Sequence, residues 1–281
     1  MTNTSNNPLQ KYFRQPAIYL RLPSQGQYYP DGALNMPVNQ ELPVYPMTAL
    51  DEITYRTADG LFNGSSVVDV IKSCVPNIVD PWQMPSVDLD TVLIAIRIAS
   101  YGHEMEFNTK CPECESENDF ALDLRTVLEK ISMPNYQETL NIGDLVIYFK
   151  PLTYFEANQN SMDQFEDTKI LQTIPDADMP EQQKLDILHG ALIKLGEMTV
   201  KALTQCISLI KAGDDVVTDK EHISDFIRNA DKKVYDAIRA RVEKYRDAST
   251  LQPVQAQCEQ CEKTYTTPFT MDVANFFGSG S

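Results

Sequence analysis

The sequence lacks the patterns that mark most enzymes. It contains no G-x-x-x-x-G-K-[ST] phosphate loop, no G-x-G-x-x-G fingerprint, no H-E-x-x-H and no G-x-S-x-G. Its only histidines are His103, His189 and His222. His103 is interpreted as a hydrogen-bonded loop residue, and the spacing of His189 and His222 implies no cysteine or serine nucleophile as partner. Carboxylates are abundant, so an acid–base pair among them stays open. The balance favours a protein that binds other proteins, with an unrecognised enzyme as the alternative.

Positive charge and long apolar runs are also scarce. The chain has 24 Lys and Arg against 40 Asp and Glu, which gives a net charge of −16. This balance argues against nucleic acid and against an anionic membrane as partners, because both need clustered basic residues. No run approaches the roughly 18 apolar residues of a membrane span. The first residues also lack the basic and apolar regions of a signal peptide, so we expect the protein to stay in a cytoplasm.

Two cysteine pairs dominate what the sequence does contain. They are Cys111-Pro112-Glu113-Cys114 and Cys258-Glu259-Gln260-Cys261. Two such pairs predict the halves of a tetrahedral four-cysteine zinc site, in which Cys111, Cys114, Cys258 and Cys261 bind Zn²⁺. Because all four ligands are sulfur, the role is structural. The 143 residues between the pairs, 115–257, far exceed the loop of about 15–20 in a plain zinc ribbon. Most of the chain is therefore predicted to be inserted between the two knuckles.

The sequence around each pair favours this interpretation over the alternatives. Residues 104–108 and 118–124 alternate around the first pair, and apolar residues flank the second pair in the same way, which places each pair at the tip of a β-hairpin. A redox dithiol should follow a strand and open a helix, and neither pair does. Disulfides are less expected in a cytosolic or virion protein. Four unligated thiols remain the simplest alternative.

The predicted fold class is α+β. It has a small N-terminal β region, a mostly helical middle, and split zinc-ribbon-like hairpins brought together from the two distant C-x-x-C pairs. The predicted parts are an N-terminal β region (1–47), a helical segment (48–102), a first zinc-knuckle hairpin (103–124), a helical insert with a β-hairpin (125–250), and a second zinc-knuckle hairpin with the C-terminal tail (251–281).

Several elements are predicted within these parts. Strands are expected at 17–22, with a return strand beginning at Tyr28-Tyr29, and at 42–47. Capping boxes at Thr153 and Thr218 predict helix starts. Residues 183–211 predict one long helix. Its expected buried side consists of Leu185, Leu188, Leu192, Leu195, Met198 and Leu203. The pair Phe276-Phe277 is expected either to fold back on the ribbon or to dock into a partner.

With these segments laid out, the chain resembles the baseplate hub and hub-assembly proteins of T4-like contractile-tailed phages. The matching stretches are Leu22-Pro23-Ser24-Gln25-Gly26 with the following tyrosines, Met47-Thr48-Ala49-Leu50-Asp51-Glu52, Ile94-Ala95-Ile96-Arg97-Ile98-Ala99-Ser100-Tyr101-Gly102, the two cysteine pairs and Phe276-Phe277-Gly278. Residues 151–250 offer no matching motif, and only the four cysteines carry over, as zinc ligands.

The resemblance implies a non-enzymatic structural or assembly protein in the hub or wedge region of a tail baseplate. Its partners would be other baseplate and tail proteins, with no small-molecule substrate and no membrane. It would be found in the virion tail baseplate and, during assembly, in the host cytoplasm. Two alternatives stay open: a transient hub-assembly chaperone that the virion does not retain, and a zinc-ribbon nucleic-acid-binding protein.

Overall fold

The chain mixes helices with short antiparallel sheets. The computed structural model describes residues 8–56, 63–174, 179–269 and Phe277. The helices are α1 (Ala49–Tyr55), α2 (Ser65–Cys74), α3 (Leu89–Tyr101), α4 (Leu124–Leu128), α5 (Tyr154–Thr173), α6 (Glu181–Cys206), α7 (Lys220–Asn229) and α8 (Lys232–Ser249). The strands are β1 (Ile18–Leu20), β2 (Leu42–Val44), β3 (Glu104–Lys110), β4 (Glu117–Asp123), β5 (Leu140–Ile142), β6 (Leu145–Phe149), β7 (Ile207–Ala212), β8 (Asp215–Val217), β9 (Val254–Gln257) and β10 (Thr264–Thr267).

A first hydrophobic core is built around α3. Its residues from Val92 to Ile96 are buried in sequence, so this helix is covered on most of its circumference. The paired strands β1 and β2, the helices α2 and α4, and single residues from the C-terminal part, Val254 and Phe269, pack in the same cluster. The N-terminal β region, the helical segment and both cysteine hairpins therefore share one core. The five-part division of the sequence stays a prediction.

A second core lies under a four-stranded antiparallel sheet with the order β5-β6-β7-β8. Apolar residues of β6 and β7 pack against α7, α8 and the end of α6. The fully or nearly fully buried members are Ile147, Phe149, Leu203, Ile207, Ile210, Ile223, Ile227 and Ile238. The helices α5 and α6 form an antiparallel helical hairpin that extends from this core.

A short crossing joins the two cores. The backbone N–H of Ser86 donates to the carbonyl oxygen of Leu152 at 2.8 Å, and the N–H of Tyr154 donates to that of Met84 at 2.7 Å. The ring of Tyr154 stacks on Trp82 with 5.2 Å between centroids. Two backbone bonds and one aromatic stack thus fix the start of α5 against the first core.

The structure corrects the predicted N-terminal strands. Tyr28-Tyr29 is not a return strand, because Gln25, Gly26 and Tyr28 all have positive φ and the segment forms successive turns. The partner of β1 is β2 instead, with Ile18 opposite Val44. The extended segment predicted at 42–47 therefore supplies the second strand of this small sheet.

The structure also corrects the end of the predicted long helix. Helix α6 ends at Cys206, and Ile207–Ala212 continue as β7, paired with β6 and β8. The insert therefore contains a four-stranded sheet rather than a single hairpin. The β-branched and aliphatic residues of β7 fill the sheet core, and this packing overrides the helical periodicity that continues from α6.

Helix starts follow the predicted capping in part. Thr153 and Glu156 form the predicted capping box of α5, with the Glu156 N–H donating to Thr153 Oγ1 at 3.1 Å. At α7 the cap is Asp219 rather than Thr218, since the Asp219 carboxylate accepts from the His222 N–H at 2.9 Å. In the part of the chain that the structure describes, no helix has both the length and the apolar character needed to cross a bilayer.

The predicted tail contact lies partly outside the described residues, because Phe276 is not among them. Phe277 is buried, and its ring meets the ring of Tyr55 edge-on with 4.7 Å between centroids. The tail thus folds back at this residue, although the contact is with α1 in the first core.

Candidate metal centre

The four predicted ligands lie at the tips of two β-hairpins. Strands β3 and β4 pair from Glu104 opposite Asp123 to Lys110 opposite Glu117, which leaves 111–116 as the turn. Strands β9 and β10 pair up to Gln257 opposite Thr264, which leaves 258–263. We call these turns the first and second knuckles. They have the same length, and each begins with the first cysteine of its pair.

Both knuckles have the same backbone hydrogen bonds. In the first, the Cys111 N–H donates to the Ser116 carbonyl oxygen and the Glu115 N–H donates to that of Cys111, both at 2.9 Å. The residue after the second cysteine is left-handed in both, with φ of 58° at Glu115 and 57° at Glu262. The second knuckle repeats the two bonds at 2.9 and 3.0 Å, from Cys258 to Lys263 and from Glu262 to Cys258. Because the two turns have the same backbone conformation, each places its two sulfur atoms in the same relative positions. The two knuckles can therefore bind one ion in the same way.

The structure brings the four sulfur atoms together. All lie within 4.8 Å of one another. Across the two knuckles, Cys111 Sγ is 3.7 Å from Cys261 Sγ, and Cys114 Sγ is 3.5 Å from Cys258 Sγ. Sulfurs at about 2.3 Å from a tetrahedral zinc are roughly 3.8 Å apart, whereas a disulfide needs about 2.05 Å. The cysteines are free thiols, and their spacing fits a shared cation.

Two polar side chains that the sequence analysis missed hold the knuckles against each other. Ser116 Oγ lies 3.1 Å from both Cys114 Sγ and Cys258 Sγ. Asn118, only 3 % exposed, donates from Nδ2 to the Ser116 carbonyl oxygen at 2.9 Å, and its Oδ1 accepts from the Glu259 N–H at 2.9 Å. A signal was present, because Asn118 shares the inward face of β4 with Phe120 and is polar where an apolar residue is expected.

The local hydrogen bonds favour thiolates at part of the site. The Ser116 hydroxyl, with backbone N–H groups of Cys261 and Gln260, lowers the pKa of Cys258 to about 5. The side chain and backbone of Ser116 also lower the pKa of Cys114. A thiolate is the form that binds metal, so Cys258 is prepared for ligation near neutral pH, and the lowered pKa of Cys114 favours the same form.

The fourth sulfur shows what a bound cation would change at the site. Although the Lys263 backbone N–H lowers it, the pKa of Cys261 rises to about 12, because burial and the neighbouring sulfurs oppose its charge. Clustered thiolates repel one another, and a bound divalent cation removes this repulsion. The donor set therefore fits a metal such as zinc, and it leaves no position for a water or substrate ligand.

Contacts outside the knuckles also hold the hairpins together. Phe120 of β4 lies between Phe107 and Tyr265, with ring centroids 5.9 and 6.4 Å away. Thr109 Oγ1 donates to Thr267 Oγ1 at 3.2 Å. At the base of the hairpins, Leu124, Val254 and Phe269 are buried in the first core. The first core thus brings the two ends of the 115–257 insert together, so the ion need not close that loop alone.

Within 8–56, 63–174, 179–269 and Phe277, these cysteines form the single group of three or more His, Cys, Asp or Glu residues placed to hold a metal. A family model described as the T4 bacteriophage base plate protein matches residues 53–278.

The chain belongs to this family.

The match covers both knuckles of the base plate protein and confirms the resemblance to T4-like baseplate proteins. Comparison with curated proteins and with solved structures finds no match. Membership in the family supports a structural role in the tail of a phage virion, together with other base plate proteins.

Proposed function

We propose that this base plate protein is a structural or assembly component of the hub or wedge region of a contractile tail, and that it acts by docking other proteins without catalysis. The observation that carries this proposal is the family match over 53–278. The hub is favoured by the sequence stretches that resemble hub proteins. In the virion the protein would lie in the tail baseplate, after assembly in the host cytoplasm.

The N-terminal resembling stretch has a packing role that supports a scaffold. The Ser24 N–H and hydroxyl donate to the buried carboxylate of Asp88 at 2.9 and 2.5 Å, just before α3 begins. Tyr29, one of the tyrosines of the same stretch, donates its hydroxyl to Asp88 at 3.1 Å. These polar groups are fully used in holding a loop to a helix, which is the arrangement expected of a rigid docking unit.

Quantitative mass spectrometry of purified phage particles and of baseplate assembly intermediates tests the proposal. A constant copy number in finished particles supports a virion component. Presence in intermediates and absence from particles supports the chaperone alternative. A purified protein that stays monomeric and is missing from both would overturn the docking proposal.

We also propose that Cys111, Cys114, Cys258 and Cys261 hold one structural Zn²⁺ ion. The support is the spacing of the sulfurs, the thiolate-stabilising bonds from Ser116 and the all-sulfur donor set. The ion supplies the positive charge that lets all four sulfurs be deprotonated. The protein residues fix the two turns and exclude further ligands.

Elemental analysis and a ligand substitution test the zinc proposal. The purified protein should contain about one zinc per chain, since a tetrahedral four-cysteine site holds a single ion. Cys258→Ser should lose the zinc and lower the Tm. Cys206→Ser is the matched control, because Cys206 lies outside the cluster and its loss should leave the zinc content unchanged. Full zinc content in Cys258→Ser would contradict the assignment.

The nucleic-acid alternative makes a different prediction. A zinc-ribbon protein that binds DNA or RNA should shift a labelled oligonucleotide in a gel, with affinity that falls steeply as salt rises. The net charge of −16 opposes such binding. We expect no shift at physiological salt.

A further inference from the structure

In the helical hairpin, one face of α6 packs against α5. Ala191 of α6 is buried, α6 packs along α5, and two ion pairs link the two helices. Lys194 Nζ lies 2.8 Å from Asp167 Oδ1, and Lys201 Nζ lies 2.9 Å from Asp163 Oδ2. These contacts orient α6, because residues spaced three and four apart lie on one side of a helix.

A second apolar face of α6 remains exposed to solvent. The sequence predicts Leu185 and Leu192 as buried, and the structure corrects this: their exposed fractions are 58 % and 59 %, and that of Ile193 is 55 %. With the half-buried Leu188 and Leu195, the leucines follow the a and d positions of two heptads. We call Leu185, Leu192 and Ile193 the outer α6 face. Leu185 and Leu192 occupy successive a positions and Ile193 the adjacent b position, so the leucines have the spacing of a coiled-coil seam whose a positions are exposed.

Gly196 lies one turn beyond Leu192 on the same side of the helix. A methyl group added there would meet nothing within 4 Å, so internal packing does not require a glycine. A glycine inside a helix costs about 1 kcal/mol relative to alanine. Because no side chain projects at this position, the backbone of a partner helix could approach α6 closely there.

The charge around the outer α6 face is acidic. Residues 154–206, which include both helices, carry nine acidic and four basic residues. Glu181, one turn before Leu185, has an 86 % exposed side chain and pairs at 3.5 Å with Lys184, whose own side chain is only 16 % exposed. Asp186 follows Leu185 directly. A facing helix with lysine or arginine beside its apolar positions would be attracted, and a second acidic hairpin would be repelled.

A second copy of the chain is a poor occupant for another reason. The three exposed side chains cover far less than the roughly 800 Å² per partner of a standard stable interface. A contact of this size serves as one part of a larger interface. That fits attachment to an assembly better than pairing in isolation.

We propose that the outer α6 face docks an amphipathic helix of another baseplate protein, with apolar residues at heptad spacing and lysine or arginine beside them. This inference rests on the proposed baseplate function and names one surface through which the protein is held. It predicts that an isolated helix of this chemistry binds the free protein weakly and specifically.

Labelled peptides test the chemistry of the surface. One peptide of four heptads carries leucine at a and d and lysine at e and g, so that it repels itself; a second carries glutamate at e and g. Fluorescence anisotropy with the full-length protein should show binding of the lysine peptide. The glutamate peptide should bind at least about tenfold more weakly.

A double variant locates the binding. Leu185→Gln with Leu192→Gln should weaken binding of the lysine peptide by about tenfold or more, because two buried leucines are lost from the contact. Leu50→Gln is the control, since Leu50 is 70 % exposed on α1, away from the helical hairpin. Equal binding by the double variant, or by the glutamate peptide, overturns the proposal. The proposal is also overturned if the wild-type protein sediments as a dimer and the double variant as a monomer, because the outer α6 face would then bind a second copy of the chain.

Cross-linking in phage particles and assembly intermediates separates this inference from the proposed function. A photoreactive amino acid in place of Leu192 should cross-link to a lysine- or arginine-rich helical segment of another baseplate protein, and one in place of Leu50 should not reach that segment. Absence of the wild-type protein from particles and intermediates overturns the proposed function. A protein that is present but cross-links from position 192 only to itself or to nothing overturns the surface alone.

Discussion

Asn118 hydrogen-bonds to the backbone of Glu259, 141 residues further along the chain. The same side chain donates to the Ser116 carbonyl oxygen, and Ser116 in turn contacts sulfurs of both knuckles. One buried amide thus joins the two halves of the site without being a ligand. Groups that orient metal ligands in this way contribute to metal affinity as well as to stability.

Replacing Asn118 should weaken both properties. Asn118→Ala leaves the Glu259 N–H and the Ser116 carbonyl without this partner, so we expect the free energy of unfolding to fall by about 1–3 kcal/mol. A chelator should also remove the zinc from the variant more readily. Urea unfolding and a competition with a chromophoric chelator measure the two effects. Asn108→Ala is the control on the neighbouring strand, where the amide is exposed and bonds only to Asp119. Equal losses in the two variants would argue against a bridging role.

Asp88 should make stability depend on pH. Burial raises its pKa to about 6, although Ser24 and Tyr29 donate to it. The folded protein then binds this proton more tightly than the unfolded chain does. The stabilisation is fully present below about pH 4 and is lost as pH rises through 6; it is on the order of 2–3 kcal/mol.

Asp88→Asn removes this dependence. The destabilisation caused by the substitution should be largest near pH 4 and should shrink toward pH 7, as measured by urea unfolding at both values. Asp90→Asn should show a shift of the same sign, because burial also raises the pKa of Asp90 to about 6. A constant effect of Asp88→Asn would contradict the assigned titration.

At the scale of the element, α6 makes a prediction in which stability and binding move in opposite directions. Gly196→Ala should raise the free energy of unfolding by about 0.5–1 kcal/mol, because alanine favours the helix and the added methyl meets no atom. The same substitution should weaken binding of the lysine peptide. Gly102→Ala is the contrasting control. Gly102 has φ of 92°, so alanine there should destabilise the protein. A loss of stability in Gly196→Ala would show that the helix is packed at that residue.

The elements also show where sequence reasoning reaches its limit. Local signals predicted the capping of α5 at Thr153 and the paired strands around each cysteine pair, since these depend on residues close in sequence. They failed at Ile207–Ala212 and at Tyr28. The pairing of β7 with β6 and β8, and of β1 with β2, depends on distant segments that periodicity does not contain. The exposure of Leu185 and Leu192 was missed for a similar reason. The periodicity of an apolar helix face is the same whether another segment of the chain covers the face or leaves it exposed.

At the scale of the whole molecule, the two cores should respond differently to loss of the metal. Zinc removal with a chelator should speed hydrogen exchange in β3, β4, β9 and β10, whose tips form the site. It should leave β6 and β7 protected, because they belong to the second core. Hydrogen exchange read by mass spectrometry measures both regions in one experiment. Uniform acceleration across both cores would show that they unfold as one unit.

The meeting of the two cysteine pairs was the most distant feature that the sequence predicted. Two matching C-x-x-C pairs carry more information than either alone, because a tetrahedral site needs both. Which residues would hold the pairs together was not accessible in the same way. Ser116 and Asn118 act through the fold of the turns, and the shared first core acts through packing between segments far apart in sequence.

The distance between the two knuckles along the chain also determines how long the first waits for the second during synthesis. Cys114 leaves the ribosome 144 residues before Cys258, a delay of roughly 7–30 s at 5–20 residues per second. During that interval the early thiols, and the part of the first core that awaits Val254 and Phe269, have no native partners. A nascent protein truncated before the second knuckle would therefore lack half of the metal ligands. Its N-terminal part would also lack the C-terminal residues that complete the first core.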